Sequence, residues 1–204
     1  MMKEPTTIIK FQIGDNKIDF LTRFHKGSPK KFSAIFKGET YPAIKIFSPA
    51  TIFDIGANIG TVTHYINDKY SCNIDSFEPH PGAFSVLKNY FLNVDKVNSH
   101  NVCISNNSKK SKFYMHKLSI SSKHLSLSRR GSLENTKKDI NEDKFIYVDS
   151  KNIEDLIDKY SYIHCMKIDI EGHEYKILDK IIQNKKKINF VVCELHKDKF
   201  NDKN

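Results

Sequence analysis

The segment TIFDIGANIG, residues 51–60, decides the fold class of this chain. An apolar, β-branched run ends at Asp54, and a glycine-bounded turn then leads into a segment with helical periodicity. We interpret it as a strand, a ligand-binding turn and a helix from about Asn58 to Tyr70. Gly56 and Gly60 supply the permissive backbone angles and the close main-chain approach that such a turn needs.

Downstream of this turn, strand-like and helix-like segments alternate. Such alternation predicts βαβ units, right-handed crossovers and a parallel sheet with helices on both faces. Further strands are predicted to end at Glu78 and to lie in SHNVCIS (99–105), KFIYVDS (144–150), YIHCMKIDI (162–170) and INFVVCELH (188–196); helices are predicted from Pro81 to about Phe91, after a Ser150 cap, and from about His173 to Ile182.

The regions around this α/β pattern have a different character. TTIIKFQIGDNKIDFL (6–21) alternates apolar and polar residues on both sides of a Gly-Asp-Asn turn, which predicts a β-hairpin. Lys30 to Gly38 is predicted to form a short helix. Residues 106–141 are polar, basic and serine-rich, and we expect one strand at Lys112–His116 within an otherwise long loop.

Composition limits the class of protein. The 204 residues suit one domain, and no apolar run is long enough to cross a bilayer. MMKEPTTIIKFQ does not read as a signal peptide, so we expect a cytoplasmic protein. The formal charge is +9, and Ser105 to Lys144 holds ten Lys or Arg against four Asp or Glu. This excess is more typical of a solvated insert than of a nucleic-acid surface.

The cysteines are predicted to be core thiols. They are scattered, each beside an apolar run, where cysteine behaves as a small hydrophobic residue. Their spacing matches neither a metal-binding pattern nor a disulfide framework. They are Cys72, Cys103, Cys165 and Cys193.

Two acids stand at the carboxyl ends of the first two strands, where open parallel sheets bind their ligands. Asp54 could order the turn or accept a hydrogen bond from a cationic group. Glu78 follows it by 24 residues, and its carboxylate could take both hydroxyls of a ribose. The alternative is that Asp54 caps the helix and that Glu78 is a surface acid.

The turn favours a nucleoside without a pyrophosphate. A dinucleotide turn needs a glycine where this chain has Asn58, whose side chain would crowd the phosphates. No phosphate-binding G-x-x-x-x-G-K-[ST] motif is present. S-adenosylmethionine fits better, because its methionine end is zwitterionic and suits a turn that offers backbone N–H groups and an acid.

Four segments together carry a family resemblance. FDIGANIG, FEPHP, KIDIEGHEYKIL and VVCELH, in this order and at these separations, resemble the FkbM-type S-adenosylmethionine-dependent methyltransferases. The KIDIEGHE block is the most specific, since it separates this group from other class I methyltransferases. The resemblance runs from about Ile46 to His196, and the basic insert matches it least.

This resemblance implies a Rossmann-like methyltransferase sheet and methyl transfer to oxygen, often to a hydroxyl of a sugar or other secondary metabolite. One domain, 1–204, would then comprise an N-terminal hairpin and helix (1–48), a cofactor-binding half (49–104), the basic insert (105–144) and an acceptor-side half (145–204). Carried over by position, the methionine end would be lined by Asp54, Gly56, Asn58 and Gly60, the ribose bound by Glu78, and the adenine flanked by Cys103, Ile104 and Ser105.

KIDIEGHEYKIL places several titratable residues after the fourth strand. Residues two apart on a strand share a face, so Asp169 and Glu171 are expected to face the cofactor crevice together. Either of them, or His173, could remove the proton of an acceptor hydroxyl. With Glu174 they could instead bind a divalent cation, an option that no spacing rule favours.

Other roles in this region remain open. Acids in a first helical turn are also favoured by the helix dipole alone. His196 is a second-choice base, and His64 is predicted to be a partly buried helix residue. An Asn-Pro-Pro-Tyr block, typical of enzymes that methylate amino groups of bases, is absent from the sequence.

Two alternatives to an enzyme acting on a small molecule or glycan are retained. The basic insert allows an RNA methyltransferase. Platforms that stack RNA bases require aromatic side chains, however, and Phe113 and Tyr114 are the only Phe, Tyr or Trp residues in the insert. HKDKFNDKN, residues 196–204, cannot supply the antiparallel strands that normally complete a class I methyltransferase sheet. We therefore expect those strands to be missing or shortened, which also allows a non-catalytic protein of this fold.

Overall fold

The computed structural model describes residues 6–13, 16–23, 50–116, 131–134 and 140–194. The strands in these ranges are β1 (Thr6–Ile13), β2 (Asn16–Arg23), β3 (Thr51–Ile55), β4 (Asn73–Phe77), β5 (Val97–His100), β6 (Cys103–Ser105), β7 (Ser111–His116), β8 (Gly131–Ser132), β9 (Ile140–Val148), β10 (Ser150–Asn152), β11 (Ile163–Ile168) and β12 (Ile188–Cys193). The helices are α1 (Thr61–Lys69), α2 (Pro81–Tyr90), α3 (Ile153–Ile157) and α4 (Tyr175–Gln183).

The central sheet has five parallel strands in the order β12-β11-β3-β4-β5. The chain builds outward from β3 through β4 to β5, and then returns to place β11 and β12 on the other side. The strand order therefore reverses at β3, and ligands of such sheets bind at the carboxyl ends of the strands beside this reversal. The parallel sheet predicted from the alternating pattern is confirmed.

Helices cover both faces of this sheet, as predicted. Alternate residues of each strand point to opposite faces. One face packs Ile52 and Ile74 against α1 and α2, with Ile66 and Leu87 fully buried. The other packs residues such as Phe53 against α3 and α4. Each face therefore has its own apolar core.

The prediction of one third strand in SHNVCIS is wrong. The structure divides this segment between β5, in the central sheet, and β6, which pairs in parallel with β10. Cys103 N donates to Asp149 O at 2.9 Å, so the backbone after His100 bonds to a different neighbour. The predicted Ser150 cap is also wrong: Ser150 begins β10, and the Asn152 side chain caps α3 by accepting from Glu154 N at 3.0 Å.

The basic insert contributes more regular structure than predicted. Its predicted strand is confirmed as β7, but β8 and the start of β9 also lie within it, and the three form an antiparallel sheet in the order β8-β7-β9. Phe113 and Val148 from this sheet pack with Cys103 in a small apolar cluster. Gly131 lies directly against the Phe113 ring, where a Cβ atom would come within 2.0 Å of Cε1.

The N-terminal hairpin and the cysteines agree with the sequence predictions. The N-terminal hairpin is confirmed, with β1 and β2 antiparallel. The cysteines are all free thiols; Cys72, Cys103 and Cys165 are buried and Cys193 is half-buried. Burial raises the pKa of Cys165 to about 12, as expected of a core thiol.

The predicted helix at 30–38 lies outside the described residues. Among the described helices, none has the length and apolarity needed to cross a membrane.

An ion pair is buried within the sheet at the end of β3. Asp54 and Lys167 are register partners on β3 and β11, their side chains are 0% and 2% exposed, and Lys167 Nζ lies 3.0 Å from Asp54 Oδ1. Lys167 Nζ also donates to the carbonyl oxygen of Gly56 at 2.8 Å. Thr63 Oγ1 on α1 donates to Asp54 Oδ2 at 2.7 Å. The pair therefore joins two strands, a helix and the turn.

Replacing Lys167 with methionine should destabilise the fold strongly. The substitution keeps the length of the side chain but leaves the Asp54 carboxylate buried without its cation, which costs about 3–5 kcal/mol. Urea unfolding measures the loss. As the matched control, Lys180→Met removes a half-exposed pair with Glu154 (3.2 Å) and should cost at most about 1 kcal/mol. Equal losses for the two variants would contradict this account of the buried pair.

Candidate functional site

The turn after β3 runs through three left-handed backbone positions. The φ angles are 79° at Gly56, 54° at Asn58 and 90° at Gly60. Asparagine tolerates this region better than most residues, and its side-chain oxygen accepts the Ile59 N–H at 2.8 Å. The turn is therefore longer than predicted, and α1 begins at Thr61 rather than at Asn58.

The two glycines of the turn approach other parts of the protein closely. A Cβ atom on Gly56 would lie 1.9 Å from the carbonyl oxygen of Asp169, and one on Gly60 would lie 2.7 Å from Leu87 Cδ1 on α2. The predicted backbone angles are confirmed. The contacts explain why neither position accepts a side chain: the turn sits directly on the end of β11 and on α2.

The backbone amides of the turn are used within the fold. Each N–H from Gly56 to Gly60 donates to a protein acceptor, whereas a phosphate-binding loop directs such groups at its ligand. The contacts are consistent with the expectation that this turn does not hold a pyrophosphate, but the expectation that it offers backbone N–H groups to the methionine end is wrong. The acceptors, in chain order, are Phe77 O for Gly56 and Ala57, Glu78 Oε2 for Asn58, Asn58 Oδ1 for Ile59 and Ala57 O for Gly60.

Glu78 is buried beside the turn and is not a surface acid. Its side chain follows β4, and the residue is 6% exposed. Oε2 accepts from Asn58 N at 2.8 Å, and Oε1 accepts from His80 N at 2.7 Å. His80 is in turn fixed as the N-cap of α2, where its Nδ1 accepts from the first helical amides. Backbone N–H groups from the loops after β3 and β4 therefore fix the orientation of the Glu78 carboxylate.

The protonation of Glu78 is tuned by this environment. Burial raises the pKa of the Glu78 carboxyl to about 7, although the N–H groups of His80 and Asn58 and the charge of Lys167 act in the opposite direction. Carboxyls with such raised pKa values cluster at functional sites. A ligand that donates hydroxyl hydrogen bonds would favour the ionised form.

Asp54 lies below the turn instead of capping α1. Its carboxylate is fully buried and engaged by Lys167 and by the side chain of Thr63, and the N-cap of α1 is Gly60. Asp54 therefore orders the turn, one of the two roles considered for it from the sequence. Lys167 was missed, although a lone lysine within the apolar run IHCMKIDI was an available signal.

The three predicted adenine-flanking residues are buried. Cys103, Ile104 and Ser105 are 4%, 1% and 1% exposed. Cys103 Sγ lies 3.0 Å from Ser150 Oγ, and Ile104 belongs to the apolar core of the α3–α4 face. Ser105 Oγ lies 3.0 Å from His173 Nε2. The structure thus brings one predicted adenine-side residue into contact with one predicted catalytic residue.

Asp169 and Glu171 lie in a turn, so the expectation that they share a strand face is wrong. β11 ends at Ile168, and Glu171 has a φ of 59°. Asp169 N still donates to Ile55 O at 3.0 Å, which keeps it beside the turn after β3. Both acids are half-buried. We call residues 169–173 the acidic turn.

Glu174 holds the acidic turn in shape. It is fully buried, and its carboxylate accepts the N–H groups of Ile170 and Gly172 at 3.0 to 3.1 Å. These bonds hold the backbone that precedes the helix, and α4 begins at Tyr175 instead of at the predicted His173. Within the described part of the chain, no group of three or more His, Cys, Asp or Glu side chains is arranged to hold a metal ion.

His173 has a second partner that the sequence did not reveal. Its Nδ1 lies 2.7 Å from Glu134 Oε1, and Glu134 belongs to the basic insert. His64 is half-buried on α1, as predicted, and burial lowers its pKa. His196, the second-choice base, lies outside the described residues.

A family model matches most of the chain. The model of the methyltransferase FkbM domain matches residues 54–204. The chain therefore belongs to the FkbM methyltransferase domain family. No curated protein matches the chain.

Solved structures give partial likenesses. A candidate sarcosine dimethylglycine methyltransferase from Galdieria sulphuraria matches with 17% identity over 39% of this chain and 33% of that chain, at a TM-score of 0.30. A SAM-dependent methyltransferase from Leishmania major matches with 16% identity over 38% of this chain and 32% of that one, also at 0.30. The matched part of the chain spans about a third of the length of each of these structures.

Replacing Glu78 with glutamine should change the pH dependence of stability. Because the folded pKa is raised from 4.5 to about 7, wild-type protein gains stability from protonated Glu78 at low pH and loses it as the pH rises through this window. Glutamine cannot titrate. Urea unfolding should show the wild-type free energy of unfolding falling relative to Glu78→Gln by about 3 kcal/mol from pH ~4 to pH ~8.

The control for this measurement is Glu154→Gln. Glu154 is partly exposed and pairs with Lys180 on the surface. Glu154→Gln therefore makes the same change of charge at a position that is not buried, and the Glu78→Gln difference is compared with it at each pH. A Glu78→Gln difference that stays constant, or that changes in the opposite direction, would contradict the raised pKa.

Proposed function

We propose that the protein is an S-adenosylmethionine-dependent methyltransferase that methylates a hydroxyl group of a sugar, a glycan or another secondary metabolite. The observation that carries this proposal is the Glu78 carboxylate, buried at the end of β4 and aimed by the Asn58 and His80 amides. Membership of the FkbM methyltransferase domain family supports the reaction class.

The described residues fit a nucleoside joined to an amino acid better than a dinucleotide. Glu78 offers a carboxylate with remaining lone pairs for two ribose hydroxyls. The N–H groups from Gly56 to Gly60 are committed to protein acceptors, so they do not form a cradle for a pyrophosphate. The same contacts commit the N–H groups that were expected to serve the methionine end, so this proposal rests on Glu78 and on family membership rather than on free turn amides.

Each part of the cofactor has candidate residues. Glu78 would bind the ribose, and the main chain of residues 56–60 would line the methionine end. Asp54 would act indirectly, because its ion pair with Lys167 holds the turn in place. The backbone of β6 would flank the adenine. When bound, the cofactor supplies a methyl group that is already activated on a sulfonium.

The protein must then orient the acceptor and accept its proton. Methyl transfer to a hydroxyl releases one proton as the new C–O bond forms. Asp169, Glu171 and His173 lie in the acidic turn at the carboxyl end of β11, next to the turn after β3. One wall of the crevice would therefore bind the cofactor, and the other would carry the candidate bases.

Calorimetry with S-adenosylmethionine tests the cofactor assignment. Wild-type protein should bind it, and Glu78→Ala should weaken binding by about 30-fold or more, because a charged hydrogen-bond acceptor contributes about 2 kcal/mol. Glu154→Ala, which alters a surface glutamate, should bind like wild type. Absence of binding by folded wild-type protein at millimolar ligand would overturn the enzyme assignment and favour a non-catalytic member of the fold.

The acceptor class is tested by transfer of a radiolabelled methyl group to a panel of methyl glycosides, oligosaccharides, phenols and RNA. Among Asp169→Asn, Glu171→Gln and His173→Asn, the variant that lacks the base should lose about 100-fold or more in rate. Full activity in all three would refute the assignment of the base to the acidic turn.

One observation favours RNA as a second candidate acceptor. On the solvent face of the β7–β9 pair, Lys112 Nζ lies 4.3 Å from the centre of the Phe145 ring, and Tyr114 and Tyr147 pack edge-on against the same ring. Tyr147 is 63% exposed. Strand pairing thus gathers aromatic residues that are scattered in the sequence beside a lysine, which is the composition of a stacking platform.

Salt dependence separates the RNA candidate from the glycan candidate. RNA held by this face should bind with an affinity that falls steeply with salt, and Tyr147→Ala should weaken it by about 1–3 kcal/mol. Tyr162→Ala, which changes an exposed tyrosine just before β11, is the matched control. Negligible RNA binding near 0.1 M salt would remove this candidate.

A further inference from the structure

Three side chains from separate parts of the chain form a continuous hydrogen-bonded row beside the acidic turn. Glu134 Oε1 lies 2.7 Å from His173 Nδ1, and His173 Nε2 lies 3.0 Å from Ser105 Oγ. His173 and Ser105 are 8% and 1% exposed. The row therefore links the insert, the acidic turn and the end of β6.

The direction of the hydrogen bonds follows from the chemistry of the groups. The hydrogen bond from His173 lowers the pKa of Glu134, so its carboxylate is ionised at neutral pH and can only accept. Nδ1 of His173 must then carry the hydrogen. In the neutral ring Nε2 is then the acceptor. The Ser105 hydroxyl has two acceptors within reach, His173 Nε2 at 3.0 Å and Asn106 Oδ1 at 3.3 Å, and we assign its hydrogen to the nearer one, Nε2.

The carboxylate of Glu134 is held in place by its own segment. Ser132 Oγ donates to the carbonyl oxygen of Glu171 at 2.8 Å, and Glu134 N donates to Ser132 Oγ at 2.9 Å. Gly131 and Ser132 are paired with β7 as β8. The insert is therefore fastened to the acidic turn at two points, through Glu171 and through His173.

We propose that Glu134 is a positioning residue that holds His173 as the Nδ1–H tautomer, so that His173 Nε2 is the base for the acceptor hydroxyl. This inference rests on the proposed function and selects one of its three candidate bases. Nε2 already lies within hydrogen-bond distance of one hydroxyl, that of Ser105, and in this proposal the acceptor hydroxyl replaces Ser105 as the group that donates to it.

Methyl transfer to the hydroxyl moves one methyl group and one proton. The acceptor oxygen forms a bond to the methyl carbon of the sulfonium, the carbon–sulfur bond breaks, and its electron pair stays on sulfur. The hydroxyl proton moves to His173 Nε2. The resulting imidazolium is paired with the Glu134 carboxylate, which favours the charged ring.

Other charges around the row must be included in any pH dependence. Lys176, in the first turn of α4, lowers the pKa of Glu134 further, and the buried Glu174 raises it. Glu171 lies in the same turn as His173. These groups are unchanged in the variants below, so differences between variants report on the row itself.

Nuclear magnetic resonance of ¹⁵N-labelled histidine tests the tautomer directly. The neutral ring of wild-type His173 should show a protonated Nδ1 and an unprotonated Nε2. Glu134→Gln should shift ring hydrogen from Nδ1 towards Nε2, because it removes the carboxylate that can only accept. Ser105→Ala should leave the Nδ1–H tautomer in place, because the contact with Glu134 remains.

The proposal is overturned if wild-type His173 carries its proton on Nε2, or if Glu134→Gln shows the same tautomer distribution as wild type. It is also overturned if Ser105→Ala changes the tautomer as much as Glu134→Gln does. Glu154→Gln serves as the folding control. If Glu134→Gln does not fold, Glu134→Asp, which keeps the charge, should retain the wild-type tautomer, and loss of that tautomer counts against the proposal.

Methyl transfer to methyl glucoside, used as the acceptor probe with radiolabelled S-adenosylmethionine, supplies the functional readout. Glu134→Gln should reduce the rate about tenfold or more, with cofactor affinity unchanged. A variant that loses cofactor affinity instead would show that the row holds the cofactor. Wild-type protein that binds no cofactor defeats the proposed function; wild-type activity with an unaltered Glu134→Gln rate defeats this inference alone.

Discussion

The buried ion pair between Asp54 and Lys167 is the interaction on which the rest of the site depends. It lies at the carboxyl end of β3, the strand at which the sheet order reverses. Lys167 Nζ also donates to the carbonyl oxygen of Gly56. The Thr63 hydroxyl on α1 donates to the Asp54 carboxylate. A charged pair at this depth is stable only when its remaining polar atoms are satisfied. The turn and the strands are therefore fixed as one unit.

The position of Glu78 follows from this unit. With the turn fixed on Asp169 and on α2, the Asn58 amide points at the end of β4, and together with the His80 amide it aims the Glu78 carboxylate. The acid is thus placed by backbone groups of two loops rather than by another side chain. Burial at this place raises the pKa of the Glu78 carboxyl to about 7.

The basic insert and the acidic turn form the opposite side of the site. Ser132 and Glu134 fasten the insert to the turn, and Glu174 shapes the turn from below. The basic insert therefore places the Glu134 carboxylate next to the KIDIEGHE motif. Charge in this insert serves packing against the site as well as solvation.

The sequence predicted those parts of the molecule that depend on local patterns. Strand and helix periodicity located the central sheet, and the Gly56–Gly60 turn and Glu78 were recognised because their spacing along the chain is short and regular. Contacts between distant segments were not predictable in the same way. The pairing of Glu134 with His173 spans 39 residues, and no periodic pattern in the insert marks it.

Two errors have a common physical origin. The apolar Ile170 extends the alternation of β11 by two residues in the sequence, but the Glu174 carboxylate binds the backbone amides of Ile170 and Gly172 and bends the chain. Likewise SHNVCIS reads as one strand, but the Cys103 amide finds its acceptor at Asp149. In both places a hydrogen bond from outside the local pattern decided where the strand ended.

The central claim is that this turn and its acid hold a nucleoside without a pyrophosphate. Calorimetry at neutral pH with S-adenosylhomocysteine and, separately, with NAD⁺ tests it most directly. The account predicts binding of S-adenosylhomocysteine and no detectable binding of NAD⁺ up to roughly millimolar concentration. Binding of NAD⁺ as tight as that of S-adenosylhomocysteine, or tighter, would contradict it.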